Sequence, residues 1–289
     1  MCNFQKKIWL KFNTEIEMTG QTLTPKPAQV HFGKTFLALL GLGTAGILSL
    51  IPTAVRQVES LPPELMDLPP QLVTVLALVN PLILLVIAIV IGNLLAQRVG
   101  LRSLVAEKVS HGIPLWQQLR PHLPLAFGLG FLFAFVVLGL DAILNPFGGA
   151  ELTLETATLP GIFSQLLLGL LYGGIVEELL LRWGVMSLLV WLGWRVILRK
   201  QGEVSPAMFW SAIILAAVLF GIGHLPALAN MVALTPLLVI RTILLNALGG
   251  ILFGWLFWRR GLEVAMVAHA AAHVGFFVVN LATYLINLG

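Results

Sequence analysis

The chain predicts an all-α fold, a polytopic transmembrane helical bundle of seven to eight spans, on three observations. Of its 289 residues 58% are hydrophobic and only 10% charged, where a soluble domain carries roughly a quarter charged residues. Apolar runs recur near 36–55, 71–97, 124–144, 158–181, 206–223, 234–258 and 262–287, each close to the ~20 helical residues that cross a bilayer core. Between these runs, basic residues are alternately plentiful and scarce.

The elements follow in order. Residues 1–35 are polar, contain Pro25 and Pro27 and have no hydrophobic core of signal-peptide type, so they read as a flexible tail ahead of a first span that serves as insertion signal. Lys6, Lys7, Lys11, Lys26 and Lys34 lie in that tail, Arg56 alone follows the first run, and Arg98, Arg102, Lys108 and Arg120 follow the second. The stretch 145–157 has no basic residue, RVILRK supplies Arg195, Arg199 and Lys200, 224–236 is uncharged, and Arg259 and Arg260 come next. Lys and Arg accumulate in cytoplasmic loops, which gives an N-terminus inside and a C-terminus outside, with 158–198 crossing once; eight spans is the competing count. The chain divides into the tail, N-terminal transmembrane helices over 36–157 and a C-terminal core over 158–289, with no separate soluble domain. The cell membrane is the expected location.

Several functions are disfavoured at once. The net charge of +4 is spread along the chain, so the partner is a lipid bilayer and not nucleic acid. A single cysteine, Cys2, gives neither an intrachain disulfide nor a zinc-binding Cys pattern. Gly41, Gly43 and Gly46 spell GxGxxG without a preceding strand, so they read as helix-packing residues and not as a dinucleotide site. Gly250 and Gly254 form a GxxxG with the same packing meaning. No HExxH or GxSxG occurs, and nothing places a base at helical spacing from Ser164, Ser187 or Ser211.

The informative residues are polar ones in apolar surroundings. GGIVEELLLRWG, residues 173–184, holds Glu177, Glu178 and Arg182, although one charge at the centre of a membrane helix costs about 2.5–3.5 kcal/mol. Glu178 and Arg182 are four apart, acid first, the favourable order for an ion pair. Glu177 lies about 100° round an α-helix, which leaves it the freer carboxylate, available to take a proton. His31, His111 and His122 fall in tail or loop, whereas His224 closes the fifth run and His269 and His273 lie four apart in the last. Imidazoles and carboxylates ligate zinc and other divalent metals, and they also activate water or hold an oxyanion. Either chemistry would suit hydrolysis, with Glu177, His224, His269 and His273 the candidate ligands if a metal takes part and a metal-free route left open. Arg241 and Asn246 are placed to line the same cavity, unless Arg241 snorkels to the interface. His269 is nearer its helix start than Glu177 and His224 are to theirs; a bent or re-entrant last helix is one way to reconcile the depths.

EELLLR, FGIGH and HAAAH, in that order on successive C-terminal runs, resemble the EExxxR, FxxxH and HxxxN motifs of the CPBP intramembrane proteases. That family contains type II CAAX prenyl endopeptidases and bacteriocin-processing and immunity proteins, and the resemblance covers about residues 158–287. It implies a catalytic set of Glu177, Glu178, Arg182, His224, His269 and His273. Glu177 would activate the water, with Glu178 and Arg182 in support. His224 would stand by the water, and His269 would assist the oxyanion or a metal; Phe220 would be a packing residue. His273 departs from the family's usual Asn, yet still offers a hydrogen bond or a metal ligand. The implied activity is endoproteolysis of a membrane-anchored protein or peptide, prenylated CAAX-type or a peptide precursor. The rivals are a non-catalytic scaffold or immunity protein and a transporter or proton relay; the second would be favoured by inverted repeats, which the polar residues do not show.

Overall fold

Lipid offers no hydrogen bonds, so a spanning backbone must satisfy itself, and every regular element among the described residues is helical. The computed structural model describes residues 30–61, 68–144, 158–197, 199, 202–230 and 232–287. Residues 1–29 of the tail expected over 1–35, the stretch 145–157 and Lys200 lie outside the described residues. The described helices all belong to the unit His31–Gly289.

Among the described residues seven helices are long and apolar enough to cross a membrane: Phe32–Glu59, Pro70–Val99, Leu115–Leu144, Leu159–Val196, Pro206–Ala229, Pro236–Arg260 and Leu262–Ile286, the first to seventh spans in chain order. Their edges differ from the apolar runs. The first span begins at Phe32 and is broken after Leu48, where the Ser49 hydroxyl donates to the Gly46 carbonyl (2.6 Å) and a second piece, Ile51–Glu59, resumes. The third span starts at Leu115, so His122, expected in a loop, lies in its leading turns. His31 and His111 are exposed, the first just ahead of the helix Phe32–Leu48 and the second closing the short helix Leu104–His111.

Packing direction decides between seven and eight spans. Gly130 meets Ala268 and Gly275 meets Ala134, so the third and seventh spans run parallel. Gly169 meets His273 and Gly174 meets Ala270, so the fourth and seventh run antiparallel. Only a single crossing by Leu159–Val196 satisfies both, and the eight-span alternative is set aside.

Small residues set these distances. A Cβ on Gly46 would stand 2.5 Å from the Val176 side chain, and one on Gly250 would stand 2.5 Å from the Ala217 Cβ. Gly43 and Gly254 are likewise packed, against Leu85 and Ile213, while Gly41 faces open space. The tightest approach is at Gly130, whose added Cβ would meet the Ala268 carbonyl, one residue before His269. Gly130→Val is expected to cost about 1–3 kcal/mol by overpacking, read as a lower thermal unfolding midpoint in detergent.

The foot of the seventh span is fixed by Glu263, a buried carboxylate that no sequence motif marks. It accepts hydrogen bonds from the Ser103 hydroxyl (2.5 Å), Leu104 N (2.7 Å) and Val105 N (3.0 Å). Those amides open the short helix Leu104–His111, and a carboxylate at a helix N-terminus satisfies free donors with complementary charge. The seventh span, unbroken over its 25 residues, is thereby held at its base. It has no break that would make it re-entrant.

Candidate active site

The fourth span departs from α geometry where the chemistry-bearing residues begin. Gly169–Glu177 and Leu179–Met186 are π-helical. The π-helix is a rare, wider winding with i→i+5 bonds, so the angular step between Glu177 and Glu178 is smaller than the 100° of an α-helix. Gly169, Gly173 and Gly174 line its contact with the seventh span, where Cβ atoms added to the first two would collide with the His273 ring and one on Gly174 would stand 3.0 Å from Ala270. The two glycines that open GGIVEELLLRWG are thus explained: they let His273 and His269 reach the fourth span.

Glu178 and Arg182 pair as their spacing predicts. Arg182 Nη1 lies 3.1 Å from Glu178 Oε1, with both side chains buried. Arg182 Nη2 donates to the Gly250 carbonyl (3.3 Å), and the guanidinium stands over the rings of Phe220 (5.1 Å) and Phe253 (5.6 Å). Phe220 is a packing residue, as expected, and also a cation–π partner. The buried Ser187 hydroxyl donates to the Arg182 carbonyl, a structural role in keeping with its reading as an ordinary helix serine.

Sequence spacing could not show a third member of this pair. His269 Nδ1 lies 2.8 Å from the same Glu178 oxygen. The His269 ring is stacked on Phe253 at 4.5 Å and on His273 at 5.2 Å, so its plane is fixed from both sides.

Glu177 faces the other way, partly exposed, between two imidazoles. Its Oε1 is 3.9 Å from His224 Nε2 and its Oε2 is 3.8 Å from His269 Nε2. His224 Nδ1 is 2.9 Å from the Phe220 carbonyl, which can only accept. The neutral His224 ring therefore carries its proton on Nδ1 and turns the Nε2 lone pair toward Glu177. His269, donating from Nδ1 to Glu178, presents Nε2 to Glu177 in the same sense.

These groups line one cavity of about 460 Å³, with Glu177, His224, His269 and His273 in its wall. Arg241 and Asn246 line it too. Arg241 does not snorkel: it is buried and its Nε donates to Asp141 Oδ1 at 2.7 Å. Asn246 donates to the Thr242 carbonyl of its own helix. Asp141 and Tyr172 are cavity residues that sequence reasoning missed. Asp141, the one acid in the apolar run 124–144, was a visible signal; Tyr172 gave none.

Among the described residues no group of three or more His, Cys, Asp or Glu side chains is placed to hold one ion. His269 Nδ1 is engaged by Glu178, and Nε2 of His269 and of His224 stand nearly 4 Å from the Glu177 oxygens.

Residues 159–275 match the family described as type II CAAX prenyl endopeptidase Rce1-like. The match agrees with the resemblance of EELLLR, FGIGH and HAAAH to the CPBP motifs. The matched stretch contains Glu177, Glu178, Arg182, His224, His269 and His273, so the whole motif set lies inside it. The description is that of an endopeptidase family, and the seven apolar helices among the described residues make the chain an integral, multi-pass membrane protein. No curated protein and no solved structure matches the chain.

Proposed function

We propose that the protein is a glutamate-type intramembrane endopeptidase that hydrolyses a peptide bond of a membrane-anchored, CAAX-type or precursor peptide substrate. The observation that carries this is the convergence of Glu177 with Nε2 of His224 and His269, from three spans, at the wall of one cavity. Separations of 3.8–3.9 Å are too long for direct hydrogen bonds and suit groups that act together on a water between them.

The steps use protein groups alone. Glu177 takes one proton from the water while an Nε2 lone pair accepts the other hydrogen bond, and the oxygen attacks the substrate carbonyl. The carbon–oxygen double bond opens to an oxyanion, to which the N–H of His273 donates. Glu177 then gives its proton to the amide nitrogen as the carbon–nitrogen bond breaks, which leaves a carboxylic acid and an amine and restores Glu177. Glu178 does not touch substrate: it positions His269, and Arg182 balances its charge. This gives His269 a water-orienting role in place of the oxyanion role implied by the resemblance.

Removing one oxyanion donor typically costs about 10²–10³ in rate, so His273→Ala is expected to lose that much. His273→Asn, which restores the family's usual residue, is expected to stay within about tenfold of wild type because the amide still donates. Initial rates on a membrane-anchored fluorescent reporter peptide check both. Rates equal for wild type and His273→Ala would remove His273 from the reaction. Dialysis against a chelator is expected to leave the rate unchanged, and loss of cleavage restored by added zinc would return the metal route. The loop charges support a cytoplasmic N-terminus, which protease protection of an N-terminal tag in oriented vesicles tests.

A further inference from the structure

We propose that the catalytic cavity opens on the non-cytoplasmic face of the membrane, so that the segment it cuts is one the substrate displays outside the cytoplasm. The inference rests on the proteolytic reading of the cavity and on the loop-charge orientation, and it narrows the substrate class.

The packing directions sort the span ends into two faces. With the third and seventh spans parallel and the fourth antiparallel to both, Leu144 and Leu159 end on one face, and Leu115, Val196 and Leu262 on the other. Exposed basic residues gather at the second face, among them Arg98, Arg102, Arg195, Arg259 and Arg260. The base of the seventh span is tied to them, since Leu262 N donates to the Arg102 carbonyl (3.1 Å). Lys and Arg accumulate on the cytoplasmic side, which makes this the cytoplasmic face.

Toward that face the cavity is closed. Beyond the buried Glu178–Arg182 pair, Leu179, Trp183, Val190, Leu256, Phe257 and Leu262 are each 1% exposed or less. Trp183 packs edge-on against Phe257 (6.2 Å) and donates to Asn93 Oδ1 (3.0 Å). This close-packed layer leaves no passage for a peptide.

Toward the first face it is open and wet. Gln165, near the start of the fourth span, and Ala227, in the short helix Leu225–Ala229 at the end of the fifth, are exposed residues of the cavity wall. Asp141, in the last turn of the third span, lines the same cavity with its side chain 32% exposed. A carboxylate and a carboxamide turned to lipid would be costly, so their exposed surfaces face water. A second hollow, of about 540 Å³, is walled by Thr53, Gln57, Ser60 and Thr158 and shares Gln165 with the catalytic cavity. Polar surface therefore runs from the outer ends of the first and fourth spans to the cavity, whose wall continues along the fourth span through Gly169 and Gly173 to Glu177. Water and peptide reach Glu177 from this side. A segment displayed in the cytoplasm meets the closed layer instead.

The test uses the full chain in right-side-out and inverted membrane vesicles. Cys2 is the one cysteine of the chain, so Cys2→Ser gives a background into which Ala227→Cys, Gln165→Cys or Arg259→Cys is placed singly. A membrane-impermeant maleimide is expected to label Ala227→Cys and Gln165→Cys in right-side-out vesicles, and Arg259→Cys only in inverted ones. Failure of both cavity-wall cysteines to react in right-side-out vesicles would overturn the proposal, as would labelling of all three from one side. Wild type is then paired with a membrane-anchored reporter that carries one cleavable segment on either the outer or the inner side. The outer form is expected to be cut and the inner form left intact. Cleavage of the inner form at or above the rate of the outer would overturn the proposal and leave the protease reading standing. Outside labelling with neither form cut would reject the protease reading and keep the opening where it is proposed.

Discussion

Glu177→Gln is expected to lower peptide cleavage by about 10²–10⁴, the usual contribution of a general base, while reporter binding persists. Glutamine keeps the size and an acceptor oxygen but cannot take the water's proton. Among the described residues the Glu177 side chain makes no short hydrogen bond that would hold the helices together: the two imidazoles stand 3.8 and 3.9 Å from its oxygens. The variant should therefore fold and bind as wild type does, and the loss should fall on kcat and not on KM. A loss confined to KM would make Glu177 a binding residue.

The largest effect on stability is expected from Arg182→Met. Arg182 is buried, pairs with the fully buried Glu178, donates to the Gly250 carbonyl and lies between Phe220 and Phe253. Methionine removes the positive charge and strands the Glu178 carboxylate in an apolar interior, a change that costs about 3–5 kcal/mol where buried pairs have been broken. The loss should appear as a lower thermal midpoint in detergent. It should be partly recovered in the double variant Arg182→Met/Glu178→Gln, which leaves no unpaired charge while glutamine still accepts from His269 Nδ1. Activity should not recover in parallel, because the neutral amide holds His269 less firmly than the carboxylate does. Full stability in the single variant would mean that Glu178 and Arg182 carry no pairing energy.

How much of the fold and site was legible in the sequence depended on the range of each interaction. The seven runs were visible because a bilayer demands long apolar stretches, and loop charge correctly made 158–198 a single crossing. The Glu178–Arg182 pair was visible because four residues of separation put both on one helix face. The contact between His269 and Glu178 was not, since it joins residues 91 apart. The pairing of Arg241 with Asp141 across 100 residues was hidden for the same reason. The π winding of Gly169–Glu177 escaped because periodicity was read at α spacing. The depth mismatch at His269 arose from comparing positions along separate helices as though all began at one level. Span edges were misjudged where helices run on through polar residues, as at Arg120–His122. The motifs named the candidate residues, and the fold supplied the contacts that orient them.

The most direct test of the central claim is chemical rescue of Glu177→Ala. The purified variant is given the membrane-anchored reporter with increasing formate, a carboxylate small enough for the space the side chain leaves in a cavity of about 460 Å³. Without formate the variant is expected to be nearly inactive beside wild type, and formate is expected to restore cleavage at the same bond in proportion to its concentration. Cleavage by Glu177→Ala at the wild-type rate before any formate is added would contradict the claim that Glu177 activates the attacking water.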